Sequence, residues 1–292
     1  MIRRILLVAT AIIGAVVTTA CSDTTAPEQL AAERGLGPHA SKNDHAKNLF
    51  YTTAGFGGEV FAIKVRGRKI TTRDIGPTNG GNCLSLALSA SGTLYSMCGT
   101  LFGDQQLATI DRKTGRANLF GVTVPGLAVM AMAFGRNGTL YAVGGCNPDP
   151  DASFECTSGS DPNYNSLYRV NKATGAFTRV GPTGAPQFFM DLAFDRKGHM
   201  YGVTTTVNPS SVPAILYRIN PATGAARKVV PLVGSNSVMG LAFGRNGQLY
   251  ATDFAPTPNL YLIDIETGVE TAIAALPFGF SSGLELANPH DG

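Results

Sequence analysis

The strongest constraint on how this chain can fold is that it repeats itself. Residues 85–99 read SLALSASGTLYSMCG, 131–145 AMAFGRNGTLYAVGG, 191–205 DLAFDRKGHMYGVTT and 240–254 GLAFGRNGQLYATDF. A second phrase alternates with the first: LATIDRKTG (107–115), LYRVNKATG (167–175), LYRINPATG (216–224) and LYLIDIETG (260–268). A worn fifth pair comes before all of these, NLFYTTAG (48–55) followed by VFAIKVRGR (60–68). Short apolar runs and turn residues recurring at a fixed period imply stacked supersecondary units, because one such unit cannot bury its own apolar face.

Each unit divides into four short strands: LAF, then a tight glycine turn, then LYA, a loop, LYRI, a Thr-Gly turn, and a last strand such as AFTRVG. Asn-Gly at 137–138 and 246–247 is a strong hairpin signal. The third strand is apolar on both faces, as Leu260, Tyr261, Leu262 and Ile263 show, so the sheet it belongs to is covered on both sides. Four-stranded sheets of roughly 48 residues, repeated face to face, predict an all-β fold, a β-propeller. The second phrase counts five blades, but the first blade lacks its opening strand. SSGLELANP (281–289) aligns with SVMGLAFGR (237–245), which predicts that the C-terminal strand joins the N-terminal blade. That closure removes open sheet edges.

Over roughly residues 48–289 the pattern resembles the exported bacterial propellers of the NHL and YVTN type and related uncharacterised repeat families. The resemblance implies a fold and no particular chemistry. Tryptophan is absent, whereas a quinoprotein propeller of the pyrroloquinoline quinone class displays tryptophan docking motifs. No cofactor is expected. GLAFGRNGQLYATD is also similar to the gluconolactonase and regucalcin propellers, whose motif carries a metal-binding Asn before Gly-Leu. Met239 stands at that place here.

The first twenty residues read as a leader. Arg3 and Arg4 precede an uncharged apolar run from Ile5 to Val17 that suits a secretory signal. The run ends in Thr18-Thr19-Ala20-Cys21, which resembles the lipobox of bacterial lipoproteins, with Thr18 where that family prefers Leu, Val or Ile. The resemblance implies that Cys21 becomes an acylated mature N-terminus. Ser22 after it, rather than Asp, implies sorting to the outer membrane. The expected organisation is a signal peptide over 1–20, a polar flexible tether over 21–47 and the propeller over 48–292. Export and lipid attachment make the membrane the first expected partner. Without Arg3 and Arg4 the 23 basic residues become 21 against 20 acidic ones, so a nucleic-acid footprint is not expected. Nothing in the pattern asks for more than a monomer.

Four further cysteines, Cys83, Cys98, Cys146 and Cys156, are an even set in an exported chain. Three pairings are open. If Ala90-Ser91 is a two-residue turn, Cys83 and Cys98 face each other across a hairpin, and Cys146–Cys156 would close a long loop, so these two local bonds are expected. A zinc site has no close Cys-x-x-Cys pair to build on.

Connections between second and third strands vary in length, and in a propeller they share a face with the blade-to-blade connections. Variable loops on a constant scaffold are where binding residues concentrate. That face is expected to present Phe102, Asp104, Tyr164, Phe188, Phe189, Asp191, Asp253, Phe254 and Phe280, with Phe56 and Phe278 nearby. Aromatic rings among Asn, Ser, Thr and Gly suit a glycan or protein ligand. Rings that wedge blades together are the plainer reading of each one singly.

Catalytic candidates are thin. Histidine occurs in the blades only at His199, in a turn on the opposite face, so a nucleophilic triad has no base at the mouth. Asp191, Asp253 and Asp104 remain as carboxylates for a hydrolase or lactonase-like reaction, with Asp191 placed where other units have Ser85, Ala131, Gly240 and Gly283. A carboxylate that caps loop amides is the plainer reading of Asp191. Asp149, Asp151 and Glu155 alternate as calcium ligands do, although Phe154 and Ser160 break the pattern of a calcium loop. The turns of the opposite face carry Arg112, Lys113, Arg136, Lys172, Arg196, Lys197 and Arg245, interleaved with Asp111, Asp195, Asp264 and Glu266. They would be solvated turns, or a contact with anionic lipid or lipopolysaccharide. The composition as a whole points to a noncatalytic binding module, with a propeller hydrolase or a structural platform for an envelope assembly as the alternatives.

Overall fold

The Asx, Thr and Gly residues of the second phrase each have a separate task in the turn they form. In the computed structural model, which describes residues 47–100, 104–124, 128–145, 164–205, 212–235 and 237–287, Asp111 Oδ1 accepts the amides of Lys113 and Thr114. Asn171 and Asp264 do the same in their turns, and Asn220 Oδ1 accepts the amide of Ala222. The glycine closes each turn onto the Asx carbonyl, as Gly115 N does on Asp111 O at 2.8 Å. It does so with φ of 70° to 85° in these four turns, a region open to glycine without steric cost.

Among the described residues these turns and the glycine hairpins separate twenty-one strands. The first unit supplies β1 (Asn48–Ala54), β2 (Glu59–Arg66) and β3 (Lys69–Pro77). The second supplies β4 (Asn82–Cys83), β5 (Ala87–Leu88), β6 (Leu94–Gly99), β7 (Gln105–Ile110) and β8 (Ala117–Val124). Its inner strand is broken, so β4 and β5 both pair with β6. The third comprises β9 (Val129–Phe134), β10 (Leu140–Gly144), β11 (Ser166–Val170) and β12 (Phe177–Pro182). The fourth comprises β13 (Phe188–Phe194), β14 (Met200–Thr205), β15 (Ile215–Ile219) and β16 (Ala226–Pro231). The fifth comprises β17 (Val238–Phe243), β18 (Leu249–Asp253), β19 (Asn259–Ile263) and β20 (Glu270–Ala275). Last comes β21 (Ser282–Leu286), which lies antiparallel on β1, with Phe50 opposite Leu286 and Thr52 opposite Leu284. The split blade foreseen in the repeat is therefore present, and the chain is a five-bladed β-propeller of antiparallel four-stranded sheets.

The apolar clusters fall between blades. Tyr51, Val60 and Ala62 pack against Leu86, Leu94 and Ala108 of the second blade. Met97 and Leu107 meet Met132, Leu140 and Tyr168 of the third, and Val143 and Leu167 meet Phe189 and Tyr217 of the fourth. Val203 and Leu216 meet Leu241 and Leu249 of the fifth. The ring closes where Phe50, Ile63 and Leu284 pack with Tyr250 and Leu260. Burial on both sides of each sheet is what the two-faced apolar third strands require.

Backbone latches reinforce this packing at the periphery. Ala117 N donates to Thr78 O at 2.7 Å and Ala226 N to Thr183 O at 2.9 Å, while Val122 N reaches Thr174 O at 3.0 Å. A Cβ on Gly115 would collide with the carbonyl of Gly76, and one on Gly224 with that of Gly181. The Thr-Gly turn of one blade thus seats on the outer strand of the blade before it, which explains why glycine recurs there.

Cys83 and Cys98 are directly opposite and form the expected disulfide, but not through the expected register: the hairpin pairs Ala87 with Tyr95 and Leu88 with Leu94 around Ala90-Ser91-Gly92, and the break between β4 and β5 shifts the strand by one residue so that the cysteines meet. Cys146 and Cys156 lie outside the described residues, as do Cys21 and the expected signal and tether apart from Lys47.

Candidate functional site

Inner strands have a free edge toward the ring axis, and at that edge backbone amides need acceptors. Asp191 supplies them from β13. Its Oδ1 accepts Leu192 N at 2.9 Å, and its Oδ2 accepts Leu241 N of β17 at 2.7 Å and Leu284 N of β21 at 3.0 Å. The carboxyl is fully buried. Burial raises its pKa well above the usual carboxylate value against the opposing pull of the three amides, with Glu285 adding to the rise. One side chain therefore ties together the inner strands of three blades and faces no solvent-filled channel. Glu285, on β21, is pushed up to about 8 by burial, with the amides of Leu88 and Leu286 acting in the opposite direction.

Each inner strand paired without a break carries one irregularity in register near its start, and the displaced residues are Met130, Met190, Met239 and Gly283. Gly283 therefore stands level with Met239, and the residue level with Asp191 in the split blade is Leu284. The expected alignment of Asp191 with Gly283 is one residue out; SSGLELANP set on SVMGLAFGR already places Leu284 with Gly240, and the bulge common to these strands keeps that alignment. The three methionines gather with Leu84, Ala128 and Phe188 at this end of the axis, and Tyr164 and Phe254 pack on them. The collar has a signal in the repeat, where Met130, Met190 and Met239 precede AMAF, DLAF and GLAF.

The other sequence-derived residues divide between mouth and interior. Phe189 is fully buried between the third and fourth blades, edge-on to Tyr217 at 5.5 Å, so it is packing and not surface. Phe188 is nearly buried in the methionine collar, 6.3 Å from the ring of Tyr164. Tyr164 is half-buried and donates to Pro186 O at 3.1 Å, and burial raises its phenol pKa. Asp104 is exposed. Phe102 and the calcium candidates Asp149, Asp151 and Glu155 lie outside the described residues. Among the described residues no cluster of three or more His, Cys, Asp or Glu could hold a metal ion.

Phe56, Phe254 and Phe280 come together from three connections. Phe56 stacks on Phe280 with centroids 5.3 Å apart and meets Phe254 edge-on at 5.2 Å, while Phe254 and Phe280 are 4.9 Å apart. Phe280 N donates to Ala255 O at 2.7 Å and Gly55 N to Gly279 O at 3.1 Å, which interlocks the loops that carry the rings. Phe56 and Phe280 both hold positive φ, 60° and 54°, a backbone state that costs a non-glycine residue on the order of 1 kcal/mol or more. Phe56 is nevertheless 43% exposed, so burial does not account for its place.

Asp253 closes the loop beneath Phe254. Its Oδ1 accepts Asn259 N at 2.6 Å and its Oδ2 accepts the Tyr261 hydroxyl at 3.1 Å. Burial, with Asp253 adding, pushes Tyr261 up to about 12. Glu270 takes the Ser235 amide and is pushed up to about 7 by burial, with Asp253 contributing to the rise. No sequence feature marks this carboxyl, because its burial comes from the connection between β16 and β17.

With the site described, known proteins can be set beside it. The family model described as a repeat of unknown function (DUF6923) matches residues 131–282, just over half of the chain. The chain belongs to that repeat family. No curated protein matches it in sequence. Among solved structures it is similar to TolB from Acinetobacter baumannii, at 11% identity and a TM-score of 0.47 over 83% of this chain and 66% of that one. It is also similar to a gluconolactonase from Xanthomonas campestris, at 14% identity and 0.48 over 82% and 80% of the two chains. A third likeness is to virginiamycin B lyase from Staphylococcus aureus, at 14% and 0.42 over 80% and 71%. The account of the fold rests on the blades themselves.

Proposed function

We propose that this chain is a lipid-anchored, extracytoplasmic recognition module that binds a glycan or protein ligand at its variable-loop face and performs no chemistry on it. The observation that carries the reading is the exposed Phe56 ring, held with Phe254 and Phe280 by two phenylalanines in left-handed backbone. Backbone strain kept where it does not serve burial belongs to sites that present a side chain. The carboxylates a hydrolase would use have other partners: Asp191 serves three amides, and Asp253 serves Asn259 and Tyr261. Anchoring is supported by Arg3, Arg4, the apolar run and Thr18-Thr19-Ala20-Cys21, and the outer membrane by Ser22.

Glycan and peptide arrays, run beside glycosidase and lactonase screens, test the recognition reading. Saturable binding without turnover is expected. Turnover abolished by Asp253→Asn or Asp104→Asn in a folded protein would overturn it. Membrane partition of the intact chain tests the anchor, and a Cys21→Ser protein that keeps all modification and partition would contradict it.

A further inference from the structure

The two ends of the ring differ in charge. Among the described residues, the connections on the variable-loop side contain no Lys or Arg, and Asp104 lies there with Glu59 and Asp253 at adjoining strand ends. The turns of the opposite end carry the exposed side chains of Arg68, Lys113, Arg116, Lys172, Arg196 and Lys197, spread over four blades. Asp111, Asp264 and Glu266 are exposed among these turns and Asp195 is partly buried, so the exposed basic side chains outnumber the acidic ones without excluding them. Asp111 Oδ1 takes the amides of Lys113 and Thr114, and Asp195 takes those of Lys197 and His199 and the His199 ring.

The described chain also enters and leaves the ring at this basic end. Asn48 Oδ1 accepts Arg245 N at 2.8 Å and its Nδ2 donates to the Tyr250 hydroxyl at 3.2 Å. Ala287 O accepts Arg245 Nη2 at 2.9 Å, and Ala287 N donates to Leu49 O at 2.7 Å. Any segment that leads from Cys21 to β1 therefore arrives beside the basic turns, and not beside the mouth.

We propose that the basic turn face is a docking surface for the headgroups of an anionic phospholipid bilayer, which holds the ring with its aromatic mouth directed away from the membrane. Lys and Arg carried close to an anionic surface gain a favourable interaction that adds residue by residue and decays within a Debye length. A net charge close to neutral for the whole domain does not oppose this, because on this end the six exposed Lys and Arg outnumber Asp111, Asp195, Asp264 and Glu266. The inference goes beyond ligand recognition, and it depends on the described turns whether or not Cys21 is acylated.

The test uses the chain from Ser22 onward, which lacks the leader and the anchor residue and keeps the closed ring. Co-sedimentation compares phosphatidylcholine vesicles with vesicles that also contain phosphatidylglycerol. Binding to the anionic vesicles alone is expected, with loss at high salt. Reversal of two turn charges, Arg196→Glu with Lys197→Glu, is expected to weaken it at least about tenfold. Reversal of two exposed side-wall charges, Arg73→Glu with Lys228→Glu, is expected to change it less than about twofold. Melting curves confirm that both variants fold. Equal binding to the two vesicle types, or equal effects of the two variants, would overturn the proposal. The anchor is judged separately on the intact chain, so either reading can fail alone.

Discussion

Replacing Asp191 by alanine is the sharpest perturbation of the ring, since the side chain has no role in the mouth and three roles at the axis. The substitution leaves the amides of Leu192, Leu241 and Leu284 without their acceptor in a fully buried place. A buried donor without a partner costs about 1–3 kcal/mol, so three could cost on the order of 3–9 kcal/mol. Removing a carboxyl whose burial is itself unfavourable offsets part of this, and we expect a net loss of about 3 kcal/mol or more. That is a large share of the roughly 5–15 kcal/mol available to a folded domain. Asp191→Asn keeps one acceptor oxygen and turns an NH2 group toward remaining donors, so a smaller loss of about 1–2 kcal/mol is expected. Urea unfolding measures both, and amide exchange locates the effect, with Leu241 and Leu284 expected to exchange faster. A loss below about 1 kcal/mol for the alanine variant, with unchanged exchange at these amides, would refute the argument that the axis is tied by this carboxyl.

Three further outcomes follow from the same packing. Glu270 and Glu285, pushed up to about 7 and about 8, keep protons in the fold that the unfolded chain has given up above pH about 4.5; stability should therefore fall as pH rises from there through 8. These shifts correspond to at most about 3 kcal/mol for Glu270 and about 5 kcal/mol for Glu285, and Glu285→Gln should flatten the profile measured by urea unfolding. Reducing Cys83–Cys98, whose sulfurs close a loop with sequence separation 15, should cost about 2–3 kcal/mol; peptide mapping that finds both thiols free in the native protein would contradict the bond itself. Deleting residues 281–292 removes β21 and Leu284 from the seam between the first and fifth blades, and gel filtration with melting should show aggregation or loss of cooperative unfolding, far beyond the effect of trimming a tail.

Much of the ring was legible because its signals are local and repeated. Thr-Gly turns, Asn-Gly hairpins and two-faced apolar strands each specify a piece that recurs, and SSGLELANP betrayed the split blade by matching SVMGLAFGR. The facing cysteines were paired correctly although the turn has three residues rather than two, because the break between β4 and β5 offsets the extra turn residue. The site was less legible. Phe189 and Phe254 are both aromatic residues near strand ends, yet one is wedged between blades and the other joins the mouth. Which it is depends on neighbouring blades far away in sequence. Asp191 stood out by residue type, but its three partners belong to strands that only ring closure brings together. The methionines at 130, 190 and 239 recur at one place in the repeat, but only ring closure shows that they meet at the axis. Glu270 is buried by another blade's connection and has no sequence signature.

The central claim is that a ligand is held at the aromatic, variable-loop end of the ring and not at its basic turns. Hydrogen exchange of the chain with and without a ligand taken from the arrays tests it most directly. Added protection is expected in residues 54–58, 253–258 and 276–281, and Phe254→Ala should abolish it with the melting curve unchanged. Protection confined to the turns at 111–116, 171–176 and 195–199, or protection at the mouth that survives Phe254→Ala, would contradict it.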